Sequence, residues 1–214
     1  MRRFGLRAVA PLFILASICA PLTGLGQSNN SDDLADRLKK ACRATKRNCE
    51  VTALLSNGNG LYFVFNQDDF FAAIMVANND NISFIHAQGH DLIKKSGEKE
   101  WRKTEPDLAL RNIVWAPLTP SVDARDGYTP PRVESLGMAK ENGEQLLHLR
   151  LVPAGQRQGD DDSLPYYWLA EVADGNWVVR RVRALTSLGD QVIQVDARFA
   201  KIGQAPKIEL PNPR

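Results

Sequence analysis

The sequence predicts a mostly β fold of the α+β class: about eleven short antiparallel strands, an N-terminal helix and one short central helix. Three observations carry that prediction. Turn signals recur at short spacing, at Asn57-Gly58-Asn59-Gly60, Gln67-Asp68-Asp69, Asn78 to Asn81, Ser96-Gly97-Glu98, Glu141-Asn142-Gly143 and Asp174-Gly175-Asn176. Between them apolar residues alternate with period two, most cleanly from Gln191 to Phe199. There Ile193, Val195, Ala197 and Phe199 share one face, and Gln194, Asp196 and Arg198 the other. Helical spacing is confined to two stretches, one near the N-terminus and one in the middle.

The elements follow in order. Ser31 or Asp32 caps a helix in which Leu34, Leu38 and Ala41 recur through about Ala44. The basic run Arg43 to Arg47 falls at its C-terminal end, where cations meet the helix dipole favourably. Val51, Ala53 and Leu55 open the strand pattern. Strands over 61–66, 70–77, 82–87, 91–95 and 100–104 make a meander of hairpins. Pro106 starts the short helix that carries Leu108, Ile113 and Val114, and Pro117 and Pro120 stop it. Strands over 132–140 and 145–152 form a hairpin, and 166–173, 177–185 and 191–199 close the chain. Asp160-Asp161-Asp162 reads as a solvated loop, since a calcium loop needs ligands at regular spacing.

The N-terminus bounds the compartment. Arg2, Arg3 and Arg7 precede the apolar stretch Ala8–Leu22, a signal-peptide pattern too short for a membrane span. Cleavage before Gln27 makes 1–26 the signal peptide, 27–31 a flexible tail and 32–214 one domain. A lipoprotein anchor at Cys19 is the weaker alternative, because Ile18 stands where a small residue is wanted. Without the three arginines of the leader, 24 basic residues face 25 acidic ones. No global basic field points to nucleic acid, and no transmembrane segment remains. Cys42 and Cys49 form an even pair, which in an oxidising compartment predicts a disulfide closing a short loop.

The strand faces hold the functional information. In 61–66, Leu61, Phe63 and Phe65 alternate with Tyr62 and Val64. In 70–77, Phe70, Ala72, Ile74 and Val76 alternate with Phe71, Ala73, Met75 and Ala77. Both faces are apolar, whereas an antiparallel sheet with one wet face should be polar on that side. Either a helix layer covers the second face, or a curved sheet encloses an apolar hollow. The hairpin "YYWLAEVADGNWVVRRVRA" adds an aromatic arm and an arginine arm around Asp174-Gly175-Asn176.

Its last strands, with "QVIQVDARFAKIGQAPKIELPNP", end in Phe199 and Ile208-Glu209-Leu210-Pro211. This close, the hairpin "GHDLIKKSGEKEWRKT" and the order of elements resemble the LolA-like periplasmic carriers, the outer-membrane lipoprotein-sorting type and its lipid-carrying relatives. The resemblance implies an unclosed half-barrel with helices as a lid. It implies a non-catalytic carrier or sensor that shelters acyl chains of lipoproteins, phospholipids or glycolipids in an apolar hollow. On that reading Phe63, Phe65, Phe71, Met75 and Ile85 line the hollow under Ile113 and Trp115, with Trp168 facing it as well. One departure is clear: "GLYFVFNQDDFFAAIM" holds no arginine where such carriers have an arginine-rich strand, so no ligand-gating arginine is transferred.

Two other readings stay open. One is an envelope docking module with a filled core, in which a sheet edge or the basic hairpin Lys94 to Lys103 meets a protein partner. The other is a metal-dependent enzyme using His86, His90 and Asp91, three residues on a strand end and a turn without metal-ligand spacing. No nucleophile elbow, phosphate loop, zinc cluster or cofactor motif is present in the sequence.

Overall fold

The computed structural model describes residues 31–76, 81–105, 108–123, 129–155, 163–188 and 190–211. The leader, Cys19, Pro106 and the acidic run 160–162 lie outside the described residues. Helix α1 (Ser31–Lys46) precedes strands β1 (Asn48–Leu55), β2 (Gly60–Asn66), β3 (Asp69–Met75), β4 (Ile82–Ala87), β5 (His90–Lys95) and β6 (Arg102–Lys103). Helix α2 (Leu108–Trp115) interrupts them. Strands β7 (Arg132–Glu141), β8 (Glu144–Val152), β9 (Tyr166–Glu171), β10 (Trp177–Leu188) and β11 (Gln191–Ala200) follow.

All eleven strands join one antiparallel sheet, β6-β5-β4-β3-β2-β1-β11-β10-β9-β8-β7. The sheet does not close, since β6 and β7 remain its two edges. The crossing is made where β11 returns beside β1, pairing Val51 with Phe199 and Ala53 with Ala197. The alternation of β11 explains why: its apolar face aligns with that of β1 in this register, and a shift by one residue would bury Arg198 and Asp196 instead.

Both helices lie on one face, here the inner one. Helix α1 buries Leu34, Leu38, Ala41, Cys42 and Thr45, the stripe its spacing dictates, against β10, β7 and β1. Asp32 and Asp33 stand in its first turn, and Arg43 and Lys46 in its last, each opposing the dipole end it meets. Thr45 ties the helix to the sheet. Its Oγ1 donates to the Ala41 carbonyl at 2.8 Å and accepts from the Val179 N–H at 2.8 Å, beside the irregularity between Val179 and Arg181. Val51, Leu61, Phe63, Phe65, Phe70, Phe84, Leu149, Tyr167, Leu169, Val182 and Val195 complete this core.

Cys42 and Cys49 enter the same core from α1 and β1 as separate free thiols, so the expected disulfide is not formed. Each packs as a small apolar group, and burial pushes both thiols up to about 12, which keeps them protonated.

The outer face of β2–β5 explains the second apolar set. No helix covers it. Val64, Ile85 and Ala87 are buried there by Ala205 and Ile208 of the C-terminal segment, with Tyr62, Phe71, Leu92, Trp101 and Leu210 packed around them. The segment is latched at Asn48, whose carbonyl accepts from the Gly203 N–H at 2.8 Å and whose Oδ1 accepts from the Ala205 N–H at 2.5 Å. The Ile208-Glu209-Leu210-Pro211 close is thus a strap over the sheet.

Candidate functional site

The eight residues expected to line one hollow divide between the two faces. Phe63, Phe65 and Ile113 are fully buried on the inner face, and Trp115 packs beside them. Phe63 and Phe65 stack at 5.4 Å, and Phe65 meets Trp115 at 5.1 Å. Phe71, Ile85 and Trp168 belong to outer clusters, and Met75 stands exposed. The division is a matter of register. Asn66 pairs with Asp69 across a two-residue turn at Gln67–Asp68, so Phe65 faces Phe70 and not Phe71. None of the eight lines any of the three clefts described below.

The arginine-rich hairpin resolves into an outer-face row. His148, Trp168 and Arg181 are cross-strand neighbours on β8, β9 and β10. The imidazole stacks on the indole at 4.5 Å, and the guanidinium lies over that indole at 4.6 Å. Arg181 also donates to both oxygens of Asp196 (2.8 and 2.6 Å) and to Glu141 (2.6 Å). Those hydrogen bonds hold it protonated against the cost of burial. Arg180, displaced by the β10 irregularity, pairs with Glu144. The aromatic and arginine arms therefore lock the outside of the sheet, and Trp168 does not face an interior.

His148 carries a pH signature. Burial lowers its pKa, Arg181 lowers it further and Glu141 opposes both; its Nε2 has no hydrogen-bond partner. A histidine whose folded pKa is depressed binds fewer protons folded than unfolded, so stability falls as pH drops below the unfolded value of about 6.5. Urea midpoints measured between about pH 7 and pH 5 should decline, and His148→Phe should flatten that part of the curve. An unchanged slope in the variant would assign the acid sensitivity elsewhere.

His86 and Asp91 pair with each other at 2.8 Å on the inner face, with the imidazole stacked on Phe70 at 5.5 Å. His90 pairs with Ala87 in the β4–β5 ladder and so stands on the opposite face. Among the described residues no group of three His, Cys, Asp or Glu side chains is placed to hold a metal ion. The three residues of the enzyme reading are thus not brought together.

The sequence did not flag the cleft that the fold does build. It is an open cleft of about 580 Å³ at the end of the inner face, between the segment after α2 and the ends of β8–β10. Pro117, Pro120, Leu151, Tyr167 and Ala184 give it an apolar wall, with Leu185, Thr186 and Ser187 at its margin. Its size falls within the range of small-ligand sites. The Tyr167 hydroxyl donates to the Pro117 carbonyl at 2.7 Å and fixes the roof to the sheet. Burial holds that phenol well above its ordinary pKa. The roof is also fastened to α1: Lys39 pairs with Asp123 at 2.7 Å, and Lys46 donates to Thr119 at 2.6 Å. Trp115 lies between Lys46 and Arg111, at 5.1 and 4.4 Å from its ring. Polar clasps at an exposed rim are individually weak, so Leu118 and Val122, buried in the inner core, carry most of the roof's attachment. Two further clefts, about 380 and 400 Å³, have charged side chains as half of their lining.

The lipoprotein LppX of Mycobacterium tuberculosis superimposes with a TM-score of 0.54 over 83% of this chain and 99% of LppX, at 12% identity. The fold is LolA-like. LprF of Mycobacterium bovis (12% identity, 85% of this chain, 97% of LprF, TM-score 0.49) and MucB (15%, 85%, 62%, TM-score 0.44) are more distant. No family model and no curated protein matches the sequence. At 12% identity the LppX likeness speaks for the architecture alone. No helix of the described residues is long and apolar enough to cross a membrane.

Proposed function

We propose that this chain is a non-catalytic carrier or sensor of the cell envelope, exported by its leader, that takes acyl chains into the cleft beneath the α2 roof. The observation that carries the reading is the apolar wall of that open 580 Å³ cleft, overhung by a segment held through the Tyr167–Pro117 hydrogen bond and lysine clasps. An acyl chain needs a continuous apolar wall and no catalytic group, because each buried methylene contributes about 0.8 kcal/mol. The docking-module reading has its own support. The interior behind the cleft is filled by Phe63, Phe65 and Ile113, so a long chain enters only if α2 shifts, whereas protein docking requires no such movement.

A fluorescent fatty-acyl probe separates the two. Saturable binding should be displaced by phospholipid or lipopeptide. Ala184→Trp should abolish it by filling the cleft, while Phe71→Leu, on the outer face, should leave it unchanged. Saturable binding that Ala184→Trp does not touch, or no binding to a well-folded protein, would leave the docking module.

A further inference from the structure

We propose that the β10–β11 hairpin is a membrane-docking finger that sets the cleft mouth against an anionic lipid bilayer. The pairing of β9 with β10 stops at Tyr166–Arg183, and that of β1 with β11 stops at Leu55–Val195. The β10–β11 pairing continues to Leu188–Gln191. Residues beyond Arg183 and before Val195 therefore stand past the sheet as a two-stranded projection, joined to the end of β1 by the Ser56–Gln194 hydrogen bonds. The inner side of this projection, with Ala184 and Thr186, is one wall of the cleft. Its outer side presents Leu185 and Val192 at 44% and 69% exposure.

The rest of the same rim has the same character. In an antiparallel sheet the end of β1, the start of β2, the end of β3 and the end of β5 share one rim, as the pairs Leu54–Gly60, Gly60–Met75 and Ile82–Lys95 record. Leu54 and Met75 stand there at 60% and 49% exposure. Four of the seven large apolar side chains exposed among the described residues thus sit at the end where the cleft opens. Along this rim, Lys94, Lys95, Lys99, Arg102 and Lys103 face only Glu98 and Glu100 between positions 94 and 103. Glu98 is itself engaged by Arg102 and the Lys95 N–H. Asp190 lies in the turn of the finger, and Asp196 at its base, opposite Leu54, is held by Arg181.

Apolar side chains on a projecting hairpin, with an excess of lysines farther along the same rim at β5 and β6, match the two layers of an anionic bilayer surface: an acyl boundary for the first and phosphates for the second. A soluble partner would need a concave or flat complementary surface; a bilayer accepts isolated apolar side chains along a rim. The role given to the docking, passing an acyl chain between bilayer and cleft, rests on the carrier reading. The docking itself does not.

Co-sedimentation of the full chain with vesicles tests it, using phosphatidylcholine alone and phosphatidylcholine mixed with phosphatidylglycerol. The protein should pellet with the mixed vesicles and more weakly with phosphatidylcholine. Val192→Asp combined with Leu54→Asp should weaken binding by about tenfold or more, with acyl-probe affinity retained. Val192→Ser is the milder variant should the pair impair folding. Lys95→Glu with Lys99→Glu should remove the preference for phosphatidylglycerol. Wild-type protein left in the supernatant of mixed vesicles overturns the inference, as does an apolar variant that pellets like wild type. A dimer in sedimentation equilibrium that Val192→Asp dissociates would also overturn it, by giving the rim to a second copy. Protein that pellets as expected yet never takes the acyl probe sinks the carrier reading and leaves the finger standing.

Discussion

Phe65→Ala should destabilise the protein by about 3–5 kcal/mol, and Met75→Ala by less than about 0.5 kcal/mol. The two residues read alike in the sequence, as apolar positions on neighbouring strands. Phe65 is fully buried, stacked on Phe63 and in contact with Phe70 and Trp115, all on the inner face. Truncating it leaves a cavity that the paired strands cannot collapse to fill. Met75 is half exposed at the sheet rim and holds little apolar area away from water. Denaturant titration of both single variants reads the difference directly. Equal, small effects would mean that Phe65 borders an open hollow with room to relax, which is the arrangement the acyl-carrier resemblance first implied. A large cost for Phe65 alone establishes a filled interior, and any ligand then has to enter by the cleft at the roof.

That contrast shows what the sequence carries and where it stops. Strands and helices are legible because turn residues punctuate the chain and because period two and period 3.6 do not mimic each other: α1 and all eleven strands fall where the periodicity puts them. Alternation within each strand is equally legible. What is not legible is which face of one strand joins which face of the next. Reading Gln67-Asp68-Asp69 as a three-residue turn aligns Phe71 with Phe65; the turn has two residues, and Phe70 takes that place. One residue of turn length transfers Phe71, Met75 and Ile85 to the outer face. The irregularity at Val179/Arg181 similarly separates Arg180 from the row that holds Trp168. The cleft is hidden for a different reason. Leu151, Tyr167 and Ala184 alternate like any core strand residues, and they border a cleft only because α2 ends at Trp115 and the chain after it passes over the strand ends. Pro117 and Pro120 mark where the helix stops, but not what lies under it.

Ile208→Asp should cost about 2–4 kcal/mol and Lys207→Ala almost nothing, although the two positions adjoin in a segment with no helix or strand. Ile208 is buried on Val64, Ile85 and Ala87, the outer face that would otherwise expose an apolar strip across β2–β5. A carboxylate there loses the apolar contact and meets no cation in that cluster. Part of the strap's contribution is offset by the entropy of ordering an extended chain, about 1–2 kcal/mol per fixed residue. The Asn48 latch reduces that burden, because its carbonyl and side chain fix the chain at Gly203 and Ala205 before it crosses the strands. Truncation after Gln204 should therefore do more than Ile208→Asp: it should lower the denaturant midpoint and expose Val64, Ile85 and Phe71 together. Increased binding of an apolar dye and self-association of the truncated chain are the readouts. A truncated protein as stable and as monomeric as the full chain would mean that the outer face needs no cover, and the apolar character of both faces of β2 and β3 would then lack its explanation.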